Sequence, residues 1–467
     1  MTIWHPNLSQ RQGPRYLAIA EALAADIAAG RLSAGARLPT HRDLADRLGV
    51  TVGTVTRAYG EAARRGLVGG EVGRGTYVRE HAGTLPPNFH HGTVIDTPRE
   101  QSEPIADLRL NFVAPIAGDD NLNRMLATLA GEKLDALLQY QPPQGMPEHR
   151  VAAAIWLQRA GLAVDAGRIL VTAGAQHGMA VALAALLRPG DLLLTEALTF
   201  PGVRSIARLL QLRLQGVAMD AEGLLPDAFE SACRQGSAKA LYCIPSIQNP
   251  TGSVMPAARR QAIAEIAERH GVAIIEDDVY GFLDEAAPPP LASYAPTQGY
   301  YVTNLSKSIA PGLRVGYLAV PPGRVEPFRS AIQATIWMAT PLAAEIAARW
   351  IRDGTGVWYV EQRRRKARER QLLARRLLGN RDYRAHPTAL HGWLRLPEPW
   401  RAEDFAAAAQ ERGVPVTPIS AFAVARTREQ AVRLALGAPR EQAQLAKALA
   451  VIGELAAAEP QPYLAVV

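Results

Sequence analysis

The run Tyr300-Tyr301-Val302-Thr303-Asn304-Leu305-Ser306-Lys307-Ser308-Ile309-Ala310-Pro311-Gly312-Leu313-Arg314 reads as a short apolar strand, Tyr300 to Thr303, that exits into a polar turn carrying a lysine and an arginine. A lysine at such an exit, beside a fixed arginine, can hold an aldehyde as a Schiff base while the arginine holds a phosphate. Only five lysines (Lys133, Lys239, Lys307, Lys366, Lys447) stand among the 51 Lys and Arg of the chain, so the field for that role is small.

Working outward, apolar runs at Ile169 to Thr172, Leu192 to Thr195, Ala240 to Ile244, Val272 to Ile275 and Val315 to Val320 alternate with helical stretches such as Gln176 to Leu187 and Pro256 to His270. This alternation argues an α/β domain on a largely parallel sheet covered on both faces. From Ala331 to Leu378 the pattern is long and helical. Beyond it, strands at Trp393 to Leu396 and Val432 to Leu436 mix with helices in a small C-terminal α+β part.

Ligands of parallel sheets bind at the C-terminal strand ends, and the residues there suit pyridoxal phosphate. Asp277 can keep a pyridine nitrogen protonated, and Asp278 is the neighbour that competes for the role. Asn249, in Gln248-Asn249-Pro250-Thr251-Gly252, and Tyr280 offer hydrogen bonds to a phenolate oxygen, although Asn-Pro-Thr-Gly is also a good turn. Thr172-Ala173-Gly174-Ala175-Gln176-His177 runs from strand through glycine turn to a helix start whose free N–H groups suit a phosphate. Phe200 can stack on the ring or serve as a core aromatic.

Together, over residues 110 to 455, these motifs resemble fold-type I pyridoxal phosphate enzymes of the aspartate aminotransferase superfamily. The resemblance implies that Lys307 carries the cofactor, that Asp277 pairs with the pyridinium, and that Asn249 and Tyr280 bind the phenolate. It makes Ala175, Gln176 and Arg314 the phosphate cradle, and it counts Ser306 among the cofactor-binding residues. Asn304 stands where the family usually has Ser, with an amide that can still bond a phosphate oxygen. Tyr140, in Gln139-Tyr140-Gln141-Pro142, matches the tyrosine that reaches the phosphate of a neighbouring subunit. Arg433, in Val432-Arg433-Leu434-Ala435, matches the arginine that grips a substrate carboxylate.

At the other end, Pro14 to Ala29 carries a helical apolar stripe. Thr40-His41-Arg42-Asp43 caps a short second helix that Gly49 breaks, and Thr51 caps a third with Val55, Ala58, Tyr59 and Ala62 on one face. Leu67-Val68 and Thr76-Tyr77-Val78 flank a glycine-rich hairpin. Three helices and a hairpin make a winged helix-turn-helix (α+β), in which Thr51, Thr54 and Arg57 lie where a recognition helix reads bases, while Arg42 and Arg74 suit phosphates. Leu38 to Ala45, Thr51 to Tyr59 and Gly73 to Val78 resemble the winged helix of GntR-type transcription regulators, many of which carry Arg where Val52 stands.

Residues 81 to 107 lose periodicity and hold four prolines, a linker composition. The expected organisation is a DNA-binding domain at 1–80, a linker at 81–107, and an aminotransferase-like domain at 108–467, with its large part to about 350 and its small part from about 351. Residues 1 to 80 hold eleven Arg against seven Asp or Glu, which suits an anionic partner. The Arg363 to Arg370 run reads as a solvated helix face, with tracking of DNA as the competing reading. Two cysteines make no disulfide framework, no signal peptide or membrane span is apparent, and the cytoplasm is the expectation.

A GntR-type winged helix joined to an aminotransferase-like domain is the architecture of MocR-type transcription regulators, which this chain resembles over nearly its whole length. The resemblance implies a homodimer on a double-stranded DNA operator, with pyridoxal 5'-phosphate on Lys307 sensing a small amino compound or the cofactor itself. The alternative is a working aminotransferase with a DNA-binding appendage.

Overall fold

A computed structural model describes Trp4, Pro6 and residues 14–28, 31–33, 35–64, 67–71, 75–78, 104–425 and 427–459. The chain divides into two units, residues 1–94 and 95–467. In the first, α1 (Arg15–Ala28), α2 (His41–Leu48) and α3 (Val52–Arg64) precede the antiparallel strands β1 (Val68–Glu71) and β2 (Gly75–Val78). The Thr40 hydroxyl accepts from the Asp43 N–H at 3.2 Å, and Gly49, at φ +61°, ends α2 in the left-handed conformation that suits glycine. Ile19, Leu23, Leu44, Val55 and Ala58 close one core with Val68 and Val78. Burial of each large aliphatic side chain there contributes roughly 1.5–3 kcal/mol. The expected three helices and hairpin are present; the hairpin tip with Arg74 lies outside the described residues.

In the second unit seven strands lie in the order Ile169–Thr172, Gly316–Ala319, Gly299–Asn304, Ala273–Asp277, Ala238–Cys243, Leu192–Glu196 and Arg213–Val217. Gly316–Ala319 is antiparallel to both neighbours, and the other pairings are parallel. The reversal follows from the connection: residues 305–315 return the chain directly to the adjacent strand, without the longer crossover a parallel return needs. Side chains alternate between faces, so Leu170, Tyr300 and Val302 enter one apolar cluster while Ile169, Val171 and Tyr301 enter another. The edge strand Arg213–Val217 is not among the expected strands, because its mixed, partly exposed residues show no apolar run.

The long helical stretch is three helices, Val325–Ile336, Pro341–Arg352 and Thr355–Leu378. Pro341 opens the second, where its missing N–H costs nothing, and Gly354, at φ +89°, precedes the third. A four-stranded antiparallel sheet in the order Tyr383–Arg384, His391–Arg395, Ala431–Ala435, Thr417–Pro418 forms the C-terminal part. Ala106 and Leu108 pack into its core.

The Arg363 to Arg370 run is not simply a solvated face. Buried Arg363 donates to the carbonyls of Ala114 and Ile309, Arg364 donates to Phe282 O at 2.7 Å, and Arg370 donates to Leu436 O and Pro439 O. Loop carbonyls left without partners by the irregular chain take up these guanidiniums.

Candidate functional site

Strand Ile169–Thr172 ends at a turn in which Gly174, at φ +83°, leads into helix Ala175–Leu186. The first N–H groups of that helix, those of Ala175 and Gln176, have no intrahelical acceptor. Arg314, itself at φ +53°, lays its guanidinium over the turn: it donates to Ala173 O at 3.3 Å, and a Cβ on Gly174 would come within 2.8 Å of its Nη2. Gly316 permits the close approach, since a Cβ there would lie 2.6 Å from the Gly174 carbonyl carbon. Helix terminus and guanidinium together form a cationic concavity. Buried Ser306 and Ser308 have hydroxyls without partners, and Asn304 Oδ1 accepts from the Ser306 N–H at 2.9 Å, which leaves its Nδ2 as the donor.

Asp277 closes the strand Ala273–Asp277 as a buried residue. Tyr242 Oη donates to its Oδ2 at 2.6 Å, while Oδ1 is buried without a partner. Burial pushes the carboxyl up to about 7; the Tyr242 hydrogen bond opposes the rise, the Asp278 charge adds to it and Lys307 opposes it. Lys307 Nζ donates to the Asn111 carbonyl and lies 5.4 Å from the centre of the Phe112 ring. Its burial, helped by the Arg433 and Arg314 charges and opposed by Asp277, pushes the ammonium down to about 8. A lysine so poised is partly a free amine near neutral pH, which is what attack on an aldehyde requires.

Asn111 Nδ2 donates to Tyr280 Oη at 2.8 Å, which leaves the tyrosine O–H free to donate elsewhere. The same amide nitrogen lies 3.1 Å from His391 Nδ1, and His391 Nε2 lies 2.9 Å from Gln248 O. The ring proton therefore sits on Nε2, and burial, with the Arg433 charge, pushes His391 down to about 3, so the ring is neutral. Arg433 Nη1 donates to Asn249 Oδ1 at 2.9 Å and Nη2 to Arg109 O, leaving Nε without a partner and Asn249 Nδ2 as a donor. Burial pushes the Arg433 guanidinium down to about 10.

Lys307, Asp277, Tyr280, Asn249 and Arg433 are thus linked through shared partners or direct charge coupling. Phe200, half-buried before helix Pro201–Leu209, lays its ring against Gly202. Tyr140 stands outside the cleft, 82% exposed, its ring 5.6 Å from that of Trp337. Tyr242, Asn111 and His391 escape the sequence reading. Each is a lone polar-tipped residue in an apolar run, and buried polar tips find partners; that is the signal that marks them.

In the first unit Thr51 caps α3, accepting from the Thr54 N–H at 3.3 Å, with the two hydroxyls 2.9 Å apart. Thr51, Thr54 and Arg57 line a hollow of about 320 Å³ together with Arg15, which the sequence reading leaves out. Arg42 is exposed near the start of α2, and Val52 is 43% exposed at the start of α3. No described helix is long and apolar enough to cross a membrane, and no cluster of His, Cys, Asp or Glu among the described residues could hold a metal ion.

Residues 120–452 match the family model for class I and II aminotransferases, and residues 15–78 match that for bacterial regulatory proteins of the gntR family. HTH-type transcriptional regulator YdeF of Bacillus subtilis (strain 168) is 30% identical over 455 residues, 97% of this chain and 96% of the relative. Among solved structures, the α-aminoadipate aminotransferase LysN of Thermus thermophilus, complexed with N-(5'-phosphopyridoxyl)-L-leucine, superposes with TM-score 0.69 at 25% identity, covering 76% of this chain and 92% of that one. An archaeal alanine:glyoxylate aminotransferase superposes with TM-score 0.70 at 24% identity, covering 75% and 90%.

Proposed function

The chain belongs to the class I and II aminotransferase family and carries a gntR-type DNA-binding domain, the arrangement of MocR-type transcription regulators, and from this premise we propose that it is a regulator of transcription that binds pyridoxal phosphate through Lys307. The observation that carries the reading is the bare Oδ1 of Asp277, a buried carboxylate oxygen whose charge acts on the depressed ammonium of Lys307.

The residues fit the cofactor group by group. Asp277 Oδ1 would take a pyridinium N–H, Asn249 Nδ2 and the Tyr280 hydroxyl would donate to the phenolate, and Phe200 would lie on the ring. The N–H groups of Ala175 and Gln176, the Ser306 hydroxyl, Asn304 Nδ2 and Arg314 would surround the phosphate. When bound, pyridoxal phosphate supplies an aldehyde for amines and a protonated ring that accepts electrons. Lys307 holds or releases a proton at Nζ, Asp277 keeps a proton at the ring nitrogen, and Arg433 offers its free N–H groups to the carboxylate of a small amino compound, the effector.

Tyr140 and Leu138, 82% and 87% exposed, leave apolar surface to water in a way that suits a second copy of the chain. In that homodimer Tyr140 reaches the partner's phosphate, and two winged helices meet one double-stranded operator in the cytoplasm. The complete donor set also suits an aminotransferase half-reaction. Incubation with pyridoxal phosphate, borohydride reduction and peptide mapping should label Lys307; a label on Lys133, Lys239, Lys366 or Lys447 overturns the assignment. Binding of a specific duplex that shifts on adding an amine supports the regulator, whereas steady-state turnover of an amino donor and a keto acid, without any sequence-specific DNA binding, would make the chain a working aminotransferase.

A further inference from the structure

His391 opens the strand His391–Arg395 as a fully buried residue. Its Nε2 lies 2.9 Å from Gln248 O, a backbone carbonyl that can only accept and that also receives the Gly252 N–H at 2.6 Å. That carbonyl is held in place: the Gln248 N–H donates to Ser253 O at 2.8 Å, and the Gln248 side-chain amide donates to Leu198 O at 2.7 Å. The ring proton is fixed on Nε2, and Nδ1 presents a lone pair. Burial, with the Arg433 and Lys307 charges, pushes His391 down to about 3, so no second proton disturbs this order in the neutral range.

The direction of the next two hydrogen bonds follows from that lone pair. Buried Asn111 sets its side-chain amide 3.1 Å from His391 Nδ1 and 2.8 Å from Tyr280 Oη. Only the amide nitrogen can face a lone pair, so Nδ2 gives one hydrogen to His391 and the other to Tyr280. Asn111 Oδ1 is left buried without a partner, which shows that the partners of the nitrogen, and not those of the oxygen, set the amide. Tyr280, buried and edge-on to the imidazole with ring centres 5.5 Å apart, receives at Oη and keeps its own hydrogen to donate. With the amide turned over, Oδ1 would take that hydrogen and would also oppose the imidazole lone pair. The Asn111 carbonyl meanwhile receives Lys307 Nζ, so one residue holds both the lysine and the tyrosine.

We propose that His391 is a positioning residue for Tyr280: through Asn111 it fixes the direction of the tyrosine hydroxyl, so that the hydroxyl donates into the Lys307 cleft. The inference rests on the reading that this cleft binds pyridoxal phosphate, whose phenolate oxygen is the acceptor that Tyr280 would serve.

The test is the pH midpoint of the visible absorbance band of the full chain loaded with pyridoxal phosphate. A hydroxyl that donates to the ring oxygen stabilises its anion, so losing the donor raises the midpoint. Tyr280→Phe should raise it by at least about one pH unit, a tenfold change in proton affinity. His391→Phe keeps an aromatic ring beside Tyr280 but removes both nitrogens and frees Asn111 to turn, so it should raise the midpoint by at least about half a unit. His391→Gln again offers an N–H to Gln248 O and a carbonyl oxygen to Asn111, and should bring the midpoint back toward the parent. Added to Tyr280→Phe, His391→Phe should change nothing further, because no hydroxyl remains to be turned. In the cofactor-free parent, histidine-selective nitrogen NMR should show His391 neutral and protonated at Nε2 across about pH 6 to 8.

The inference is overturned if a folded His391→Phe leaves the midpoint unchanged, or if it shifts Tyr280→Phe as far as it shifts the parent. A proton on Nδ1 in the parent overturns it as well, whether or not His391→Phe folds. A parent that takes up pyridoxal phosphate on Lys307 while failing these tests leaves the cofactor reading standing; a parent that develops no visible band removes that reading and this inference with it.

Discussion

Asp277 and Asp278 are consecutive in the chain, yet one carboxylate has a vacant oxygen and the other has none. Asp277 receives a single hydrogen bond, from Tyr242, whereas both oxygens of Asp278 are occupied, by the Gly281 N–H and the Tyr301 hydroxyl. Strand alternation sends the two side chains to opposite faces of the sheet. This accounting separates two neighbours that the sequence leaves open: Asp278 holds a turn, and Asp277 keeps one oxygen without a partner.

The two acids should therefore fail differently. Asp277→Asn keeps the shape and removes the charge, so amine exchange by the cofactor-loaded protein should slow at least tenfold, about 1.4 kcal/mol of barrier, with melting unchanged. Asp278→Ala strands two buried donors and should cost about 2–4 kcal/mol of stability. Stopped-flow absorbance and thermal melts read the two effects, and a reversal of the pattern would exchange the assignments.

Lys307 should titrate far below an ordinary lysine. Because burial and the Arg433 and Arg314 cations disfavour the ammonium, the rate of borohydride-trapped incorporation of pyridoxal phosphate should rise with pH through a midpoint near 8. Arg433→Gln removes a repelling charge and should move that midpoint upward. Asp277→Asn removes an attracting one and should move it downward. A midpoint above about 10 in the parent, as for an exposed lysine, would contradict the geometry.

Glu196 gives a stability signature. Burial pushes its carboxyl up to about 8, only partly offset by donation from Gln248 and the Ile244 N–H, and its Oε1 is buried without a partner. A folded value above the unfolded one of about 4.5 means that the folded state holds the proton longer. Its contribution is thus full below pH about 4.5 and is lost as pH rises through about 8, at up to roughly 1.4 kcal/mol per pH unit inside that window. Glu196→Gln should remove this slope, so the difference in denaturant midpoint between variant and parent should grow in favour of the variant from pH 5 to pH 8. A pH-independent difference would show that Glu196 does not titrate there.

Lys307, Asp277 and Asn249 were legible in the sequence because charged and amide residues at the ends of apolar runs stand out, and the α/β layering follows from the alternation of runs and helices. What was not legible is pairing at a distance. Asn111 meets Tyr280 across 169 residues and His391 across 280, contacts that no local pattern encodes. Tyr242 sits in Leu241-Tyr242-Cys243-Ile244, which reads as plain core. The Arg363 to Arg370 run misleads for a related reason: charge suggests water, but the carbonyls that receive these side chains come from loops 54 to 249 residues away for Arg363 alone. The reversed strand Gly316–Ala319 is as buried as the strands on either side of it, and only the short connection before it betrays its direction.

DNA binding should separate into two kinds of loss. Arg42, exposed on α2, and Arg15, in the hollow beside the start of α3, offer cations to phosphates. Replacing either with Ala should weaken binding to operator and random duplexes alike, and should reduce the slope of log affinity against log salt by about one per head. Thr54 differs, because its hydroxyl shares a hydrogen bond with Thr51 at the N-terminus of the recognition helix and faces the same hollow. Thr54→Ala should lower the ratio of operator to random affinity by roughly 1–3 kcal/mol if the hydroxyl reads a base edge, with little change in salt slope. Thr51→Ala is the necessary comparison, since it removes the helix cap and about 1 kcal/mol of stability with it. Quantitative footprinting over a salt series distinguishes these outcomes; an identical effect of Thr54→Ala on operator and random DNA would mean that the start of α3 holds the backbone and reads nothing.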